Sequence, residues 1–272
     1  MRATQGLYPP GSTFKVLTAS AAIDAGTIEP ESTFIDDGSL EVDGRVIPEF
    51  NRPDESREVW TVAEGLAFSL NVVFAQIGLE LGPDRLARYA EAFGIGTDIP
   101  FELPTAPGQV ASTTASLDQP VALADTSFGQ GELLVTPLNM ALVMCAIANR
   151  GQIPAPLLVS TVQGPDDSVV ARSSTSVWKT PIRPESAATV MEMLFGSVAF
   201  GYASRAAISG LNVAAKTGTA ESGQEEPHGW FIASAGVEDP AVVVAVCLDF
   251  GGEGGGLALD IGRQMLDAAV RR

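Results

Sequence analysis

Two short stretches carry residue types that could work on an acyl group. One is Ser12-Thr13-Phe14-Lys15 and the other is Lys216-Thr217-Gly218-Thr219. The chain has three lysines against thirteen arginines, and two of the three lie in these stretches; the third is Lys179. Arginine keeps its proton near neutral pH, whereas a desolvated lysine can give it up. Lys15, three residues after Ser12, is therefore a candidate general base for a serine nucleophile. If the two residues sit on one helix they share a face, one turn apart. A serine at a helix N-terminus also lies where the first N–H groups lack an intrahelical acceptor and where the dipole favours negative charge. Such an end suits an alkoxide and a developing oxyanion.

The second stretch ends a strand-like segment. Gly218 has no side chain to obstruct a ligand backbone lying alongside. The hydroxyls of Thr217 and Thr219 flank it, and Lys216 offers a cation for a carboxylate. An exposed edge here would accept an extended peptide as an added strand. A third candidate is Ser69-Leu70-Asn71, where the helical pattern is interrupted. Residues i and i+2 do not share a helix face, so the backbone must bend if Ser69 and Asn71 are to reach one site. Each motif alone has a plainer reading: a surface helix pair, a capping Ser/Asn pair, or an edge strand with a snorkelling lysine.

These residues need elements to hold them. The breaker run Tyr8-Pro9-Pro10-Gly11 precedes an apolar helix over residues 12–25. Residues 29–60 read as loops with a small hairpin near 40–46. Helices follow over 61–81, interrupted at 69–71, and over 84–93, closed by Gly94. Residues 100–118 read as loop and 120–125 as a helical turn. A helix over 136–149 is closed by Gly151. A hairpin over 156–172 turns at Gly164-Pro165-Asp166-Asp167. A helix over 184–198 starts on a proline. The period then changes to strands over 212–220, 230–237 and 241–250, with a closing helix over 257–270.

Composition narrows the function. With 46% apolar residues in 272, the chain can bury a core. A net charge of −17 argues against nucleic-acid binding, which needs a basic face. No apolar run approaches the ~20 residues of a membrane span. Two cysteines, Cys145 and Cys247, lie in apolar runs and read as buried thiols. With them, a single histidine, His228, gives no metal-ligand spacing, so neither metal nor cofactor is expected.

Together the three motifs, in this order, resemble those of the transpeptidase domain of a monofunctional (class B) penicillin-binding protein. The likeness extends to their flanks. Tyr8 to Lys15 resembles the nucleophile segment, and Phe68-Ser69-Leu70-Asn71-Val72-Val73-Phe74-Ala75 the second motif. Ser127-Phe128-Gly129-Gln130-Gly131 with Thr136-Pro137-Leu138-Asn139-Met140-Ala141 resembles the approach to a long core helix. His228-Gly229-Trp230-Phe231 resembles the strand after the third motif.

The resemblance implies an α+β fold of the β-lactamase/transpeptidase type, with an antiparallel sheet flanked by helices and a mostly helical middle. It implies cross-linking of peptidoglycan stem peptides on the outer face of the bacterial cytoplasmic membrane, without a cofactor. Ser12 would form the acyl-enzyme and Lys15 would be its base. Ser69 would relay a proton to the leaving group, and Asn71 would bond the peptide amide. Lys216 and Thr217 would hold the terminal carboxylate. The N–H groups of Ser12 and Thr219 would form the oxyanion hole, with Gly218 beside the bound peptide. β-Lactams would acylate Ser12, and glycosyltransferase partners would belong to the full-length protein. In this family two strands and a helix precede the nucleophile, but here eleven residues do. Residues 1–272 are therefore expected to be a transpeptidase domain partial at its N-terminus, without anchor, its sheet edge exposed at 241–250.

Three other readings stay open. A serine β-lactamase would turn β-lactams over, but no base for the hydrolytic water is assignable. A β-lactam-binding sensor or inactive fragment would lack turnover of peptide. A Ser-His-Asp hydrolase would use His228, but no Gly-x-Ser-x-Gly elbow occurs.

Overall fold

The N-terminal breaker run sets how the first long helix begins. In the computed structural model, which describes residues 1–223, 225–236 and 242–271 except the side chains of 114 and 115, a short helix α1 (Arg2–Gln5) leads into this run. Gly11–Phe14 then forms a tight 3-10 turn, and α2 (Lys15–Asp24) continues from it. The helix expected from residue 12 thus opens on a 3-10 turn, in which residues i and i+3 eclipse.

Small pairs of strands fill the next segment. β1 (Thr33–Ile35) pairs with β4 (Val59–Thr61), and the hairpin β2 (Ser39–Val42) and β3 (Arg45–Pro48) turns at Asp43-Gly44. Both turn residues have positive φ, 48° and 81°, as a tight primed turn requires. Thr61 then caps α3 (Val62–Ala67): its hydroxyl accepts from Glu64 N–H while Glu64 reaches back to Thr61 N–H. After a break, α4 (Asn71–Leu81) and α5 (Pro83–Ala92) follow. α6 (Pro120–Ser127) crosses α4 at Gly78, where a Cβ would lie 1.7 Å from Ser127 Oγ. A second capping box, Thr136 with Asn139, starts the buried helix α7 (Pro137–Ala148).

The β5 (Ile153–Pro154) and β8 (Val177–Lys179) pair brackets an exposed hairpin of β6 (Thr161–Gln163) and β7 (Val169–Arg172). α8 (Pro184–Ala199) leads to the main sheet. Its strands are β9 (Val213–Ala220), β10 (His228–Ala235) and β11 (Val242–Leu248), antiparallel in the order β11-β10-β9. Two ends of the predicted strands, residues 237 and 241, lie outside the described residues. α9 (Leu259–Val270) closes the chain.

Alternation along β10 divides the core in two. Trp230 and Ile232 join the large helical cluster of α2, α4, α7 and α8. Phe231, Ala233 and Ala235 join a smaller cluster under α9, where Gly262 lets the helix lie against the Phe231 ring. This is the expected α+β arrangement of helices around an antiparallel sheet. β11 forms one edge. Its outer backbone groups face no strand among the described residues, and Val242, Val243 and Leu248 are half-buried. The two cysteines are free and half-buried rather than fully buried; desolvation pushes their thiols up to about 11 for Cys145 and about 12 for Cys247.

Candidate active site

Glycine lets the turn that bears Ser12 and the edge strand touch. Gly11 has φ +52°, and a Cβ on it would fall 2.4 Å from Thr219 O. A Cβ on Gly218 would fall within 3.0 Å of Pro10 O and Thr13 N. A larger residue at either position would push β9 away from the turn that bears Ser12. The turn is held from its other side by Gly11 N–H donating to Gly129 O at 3.0 Å and by Trp230 Nε1 donating to Pro9 O at 2.9 Å.

The break between α3 and α4 brings the second motif to the same place. Ser69 adopts φ +62°, a left-handed conformation that costs a non-glycine residue about 1–3 kcal/mol. This bend lets both Ser69 and Asn71 meet Lys15. Lys15 Nζ donates to Ser69 O at 2.5 Å, to Asn71 Oδ1 at 2.7 Å and to Ser69 Oγ at 3.3 Å. From β9, Lys216 Nζ donates to Ser69 Oγ at 2.8 Å and to Thr217 O at 3.1 Å. The Ser69 hydroxyl therefore stands between two lysine amines.

Both lysines are sealed from solvent, Lys15 at 0% and Lys216 at 1% exposure. Burial disfavours their charged forms. It pulls Lys15 down to about 7, against an opposing pull from the Glu49 carboxylate. It pulls Lys216 well below the ordinary lysine range, helped by the Lys15 charge. Lys216 is thus no snorkelling surface lysine. An ammonium has three donors, and three acceptors take those of Lys15. Losing a proton near pH 7 forfeits one of these bonds, the longest being that to Ser69 Oγ, and leaves a lone pair.

Ser12 is half-buried one 3-10 turn before Lys15, and no hydrogen bond joins its hydroxyl to Lys15. Thr217 and Thr219 also stay apart from the lysine cluster. Strand alternation puts Lys216 and Gly218 on the α2 side and the two threonines on the other, where Thr219 Oγ1 accepts from Gly254 N–H. His228 does not approach Ser12: its Nδ1 lies 3.1 Å from Asp249 Oδ1, and its ring packs on Tyr8 and Phe250.

Two further residues reach the cluster that the sequence did not point to. Asn51 Nδ2 donates to Ser69 O at 3.1 Å, and the Glu49 carboxylate accepts from Val72 N–H at 3.0 Å. Both come from the Asp-, Gly- and Pro-rich stretch read as loop. The one local signal is a lone acid set between the apolar Ile47 and Phe50. Among the described residues no acidic, histidine and cysteine cluster could hold a metal ion. A cleft of about 870 Å³ between α7, α8 and the start of β9 contains none of the eight candidate residues.

A serine–lysine turn, an inserted Ser-x-Asn bend and a strand lysine thus meet around Lys15 and Ser69, and the chain that holds them is matched by a family model. The penicillin binding protein transpeptidase domain covers residues 1–267. The chain belongs to this family. Among penicillin-binding proteins it is 36% identical to the peptidoglycan D,D-transpeptidase PbpA of Mycolicibacterium smegmatis, over 99% of this chain and 56% of that one. Its fold matches the D,D-transpeptidase domain of a peptidoglycan glycosyltransferase from Eggerthella lenta at TM-score 0.91 and 33% identity, covering 99% of this chain and 67% of that one. It also matches penicillin-binding protein A of M. tuberculosis, in a penicillin G acyl-enzyme complex, at TM-score 0.88 and 32% identity, over 99% and 62% of the two chains. The chain spans about half the length of the curated relatives it matches.

Proposed function

We propose that the chain is the transpeptidase domain of a class B penicillin-binding protein, a serine D,D-transpeptidase of peptidoglycan whose Ser12 is also acylated by β-lactams. The observation that carries this reading is the meeting of Lys15, Lys216 and Asn71 around Ser69. It supplies a base near its working pH and a hydroxyl relay beside the nucleophile turn.

In the first half-reaction Ser12 Oγ attacks the penultimate D-alanine carbonyl of a stem peptide, and its proton passes to neutral Lys15. Ser12 and Thr219 N–H groups, brought close by Gly11, take the oxyanion. Ser69 Oγ hands a proton to the departing D-alanine amine and is reprotonated from the lysine side. In the second, an amine of a neighbouring stem attacks the ester, its proton returns along the same route, and Ser12 recovers its hydrogen. Lys216 serves the donor carboxylate, with Thr217 beside it on the strand. Asn71 Oδ1, here bonded to Lys15, turns toward the peptide amide when substrate enters. Peptidoglycan as substrate agrees with relatives named peptidoglycan D,D-transpeptidases, and it supports a site on the outer face of the cytoplasmic membrane. Among the described residues no helix is long and apolar enough to cross a membrane. A glycosyltransferase partner belongs to the proposal for the whole protein.

Incubation with a D-Ala-D-Ala stem peptide and an amine acceptor tests the activity. Mass spectrometry should show the acceptor in place of the last D-alanine. Benzylpenicillin labelling without any exchange product would instead assign the chain to β-lactam binding alone.

A further inference from the structure

The second motif is held in an uphill conformation by residues outside all three motifs. Ser69 is left-handed, and its carbonyl accepts twice, from Lys15 Nζ and from Asn51 Nδ2. Leu70, the residue that caps α4, offers no side-chain acceptor. The helix is closed from elsewhere in the chain: Glu49 Oε2 accepts Val72 N–H from 23 residues upstream. Glu49 Oε1 accepts Phe50 N–H at 3.0 Å and Asn51 N–H at 2.9 Å, which folds the turn that aims the Asn51 side chain. Tyr202 Oη donates to Asn51 O at 2.7 Å and fixes the turn from outside. Glu49 is 9% exposed, and an anionic oxygen at a helix N-terminus is favourably placed.

We propose that Glu49 and Asn51 are positioning residues for acylation, Glu49 by closing the N-terminus of α4 and Asn51 by holding the Ser69 carbonyl, so that Ser69 and Asn71 both face Lys15. The inference rests on the proposed roles of Ser12 and Lys15. Both oxygens of the Glu49 carboxylate already accept backbone N–H groups, which ties Glu49 to the backbone. The charge that acts on Lys15 is Glu49 from the segment after β3, which raises its proton affinity, while the Lys15 charge in turn lowers that of Lys216 on β9. Asp36, paired with Arg52, and Tyr202 feel Glu49 from its far side.

The test is the second-order rate of benzylpenicillin acylation across the Lys15 titration, in wild type, Asn51→Ala and Glu49→Gln, each with its urea midpoint. Asn51→Ala should lower the plateau about 10-fold by misplacing the relay, with a midpoint near wild type. Glu49→Gln should lower the plateau and move the acidic limb to lower pH, because a negative charge that favours protonated Lys15 is gone. Packing alone would not shift that limb. A wild-type plateau in Asn51→Ala, or an unmoved limb in Glu49→Gln, overturns the inference while labelling of wild type leaves the site reading intact. Failure of wild type to label at Ser12 sinks both. If Glu49→Gln does not fold, Asn51→Ala, a half-buried loop change that removes one side-chain bond, decides alone.

Discussion

The proposed lysine chemistry at Ser69 would make acylation pH-dependent. As the proposed base, Lys15 must be neutral to take the Ser12 proton, and burial lowers its amine to about 7. The acylation rate should rise with pH through neutrality and level off above it, so that its acidic limb reports Lys15. Lys15→Arg should abolish this limb and cost at least about 100-fold at every pH, since a guanidinium keeps its proton. Stopped-flow acylation checks both; a Lys15→Arg protein at near wild-type rate would remove lysine as the base. At this scale the sequence was informative where chemistry is local. Lys15 is legible from its spacing to Ser12, and Lys216 from the scarcity of lysine. Asn51 and Glu49 were not, because their partners lie 18 and 23 residues on and no periodicity marks the pairing.

Elements contribute by fixing approach distances and helix starts. Gly11→Ala places a methyl group against Thr219 O in a left-handed conformation, so it should slow acylation and lower the melting temperature together. Unchanged labelling by Gly11→Ala would show that the turn and β9 need not touch. Thr136→Ala removes a buried capping box and should cost about 1 kcal/mol in urea unfolding, with acylation of the folded protein preserved. Long periodic helices and the three main strands were legible, since an apolar stripe or alternation repeats in each. The β1–β4 pair was not: three-residue strands 24 positions apart carry too little pattern. The 3-10 opening of α2 was hidden for a similar reason: the breaker run marks where the helix starts, but the turn also rests on contacts with Gly129 and β9 that lie far along the chain.

For the whole molecule, β10 is the common wall of both core clusters. Trp230 is fully buried on its helical face, and its Nε1 holds Pro9 O. Trp230→Ala should cost about 3–5 kcal/mol and loosen the turn that bears Ser12 with the core, a loss readable in denaturant unfolding. One oxygen atom among these elements, Ser12 Oγ, carries the proposed acylation. Its most direct measurement is the intact mass of the purified chain after benzylpenicillin, beside Ser12→Ala. One adduct per chain is expected, mapped to the Ser12 peptide, persistent on standing and absent from Ser12→Ala. An equal adduct on Ser12→Ala, or free product released in repeated turnovers, would contradict it.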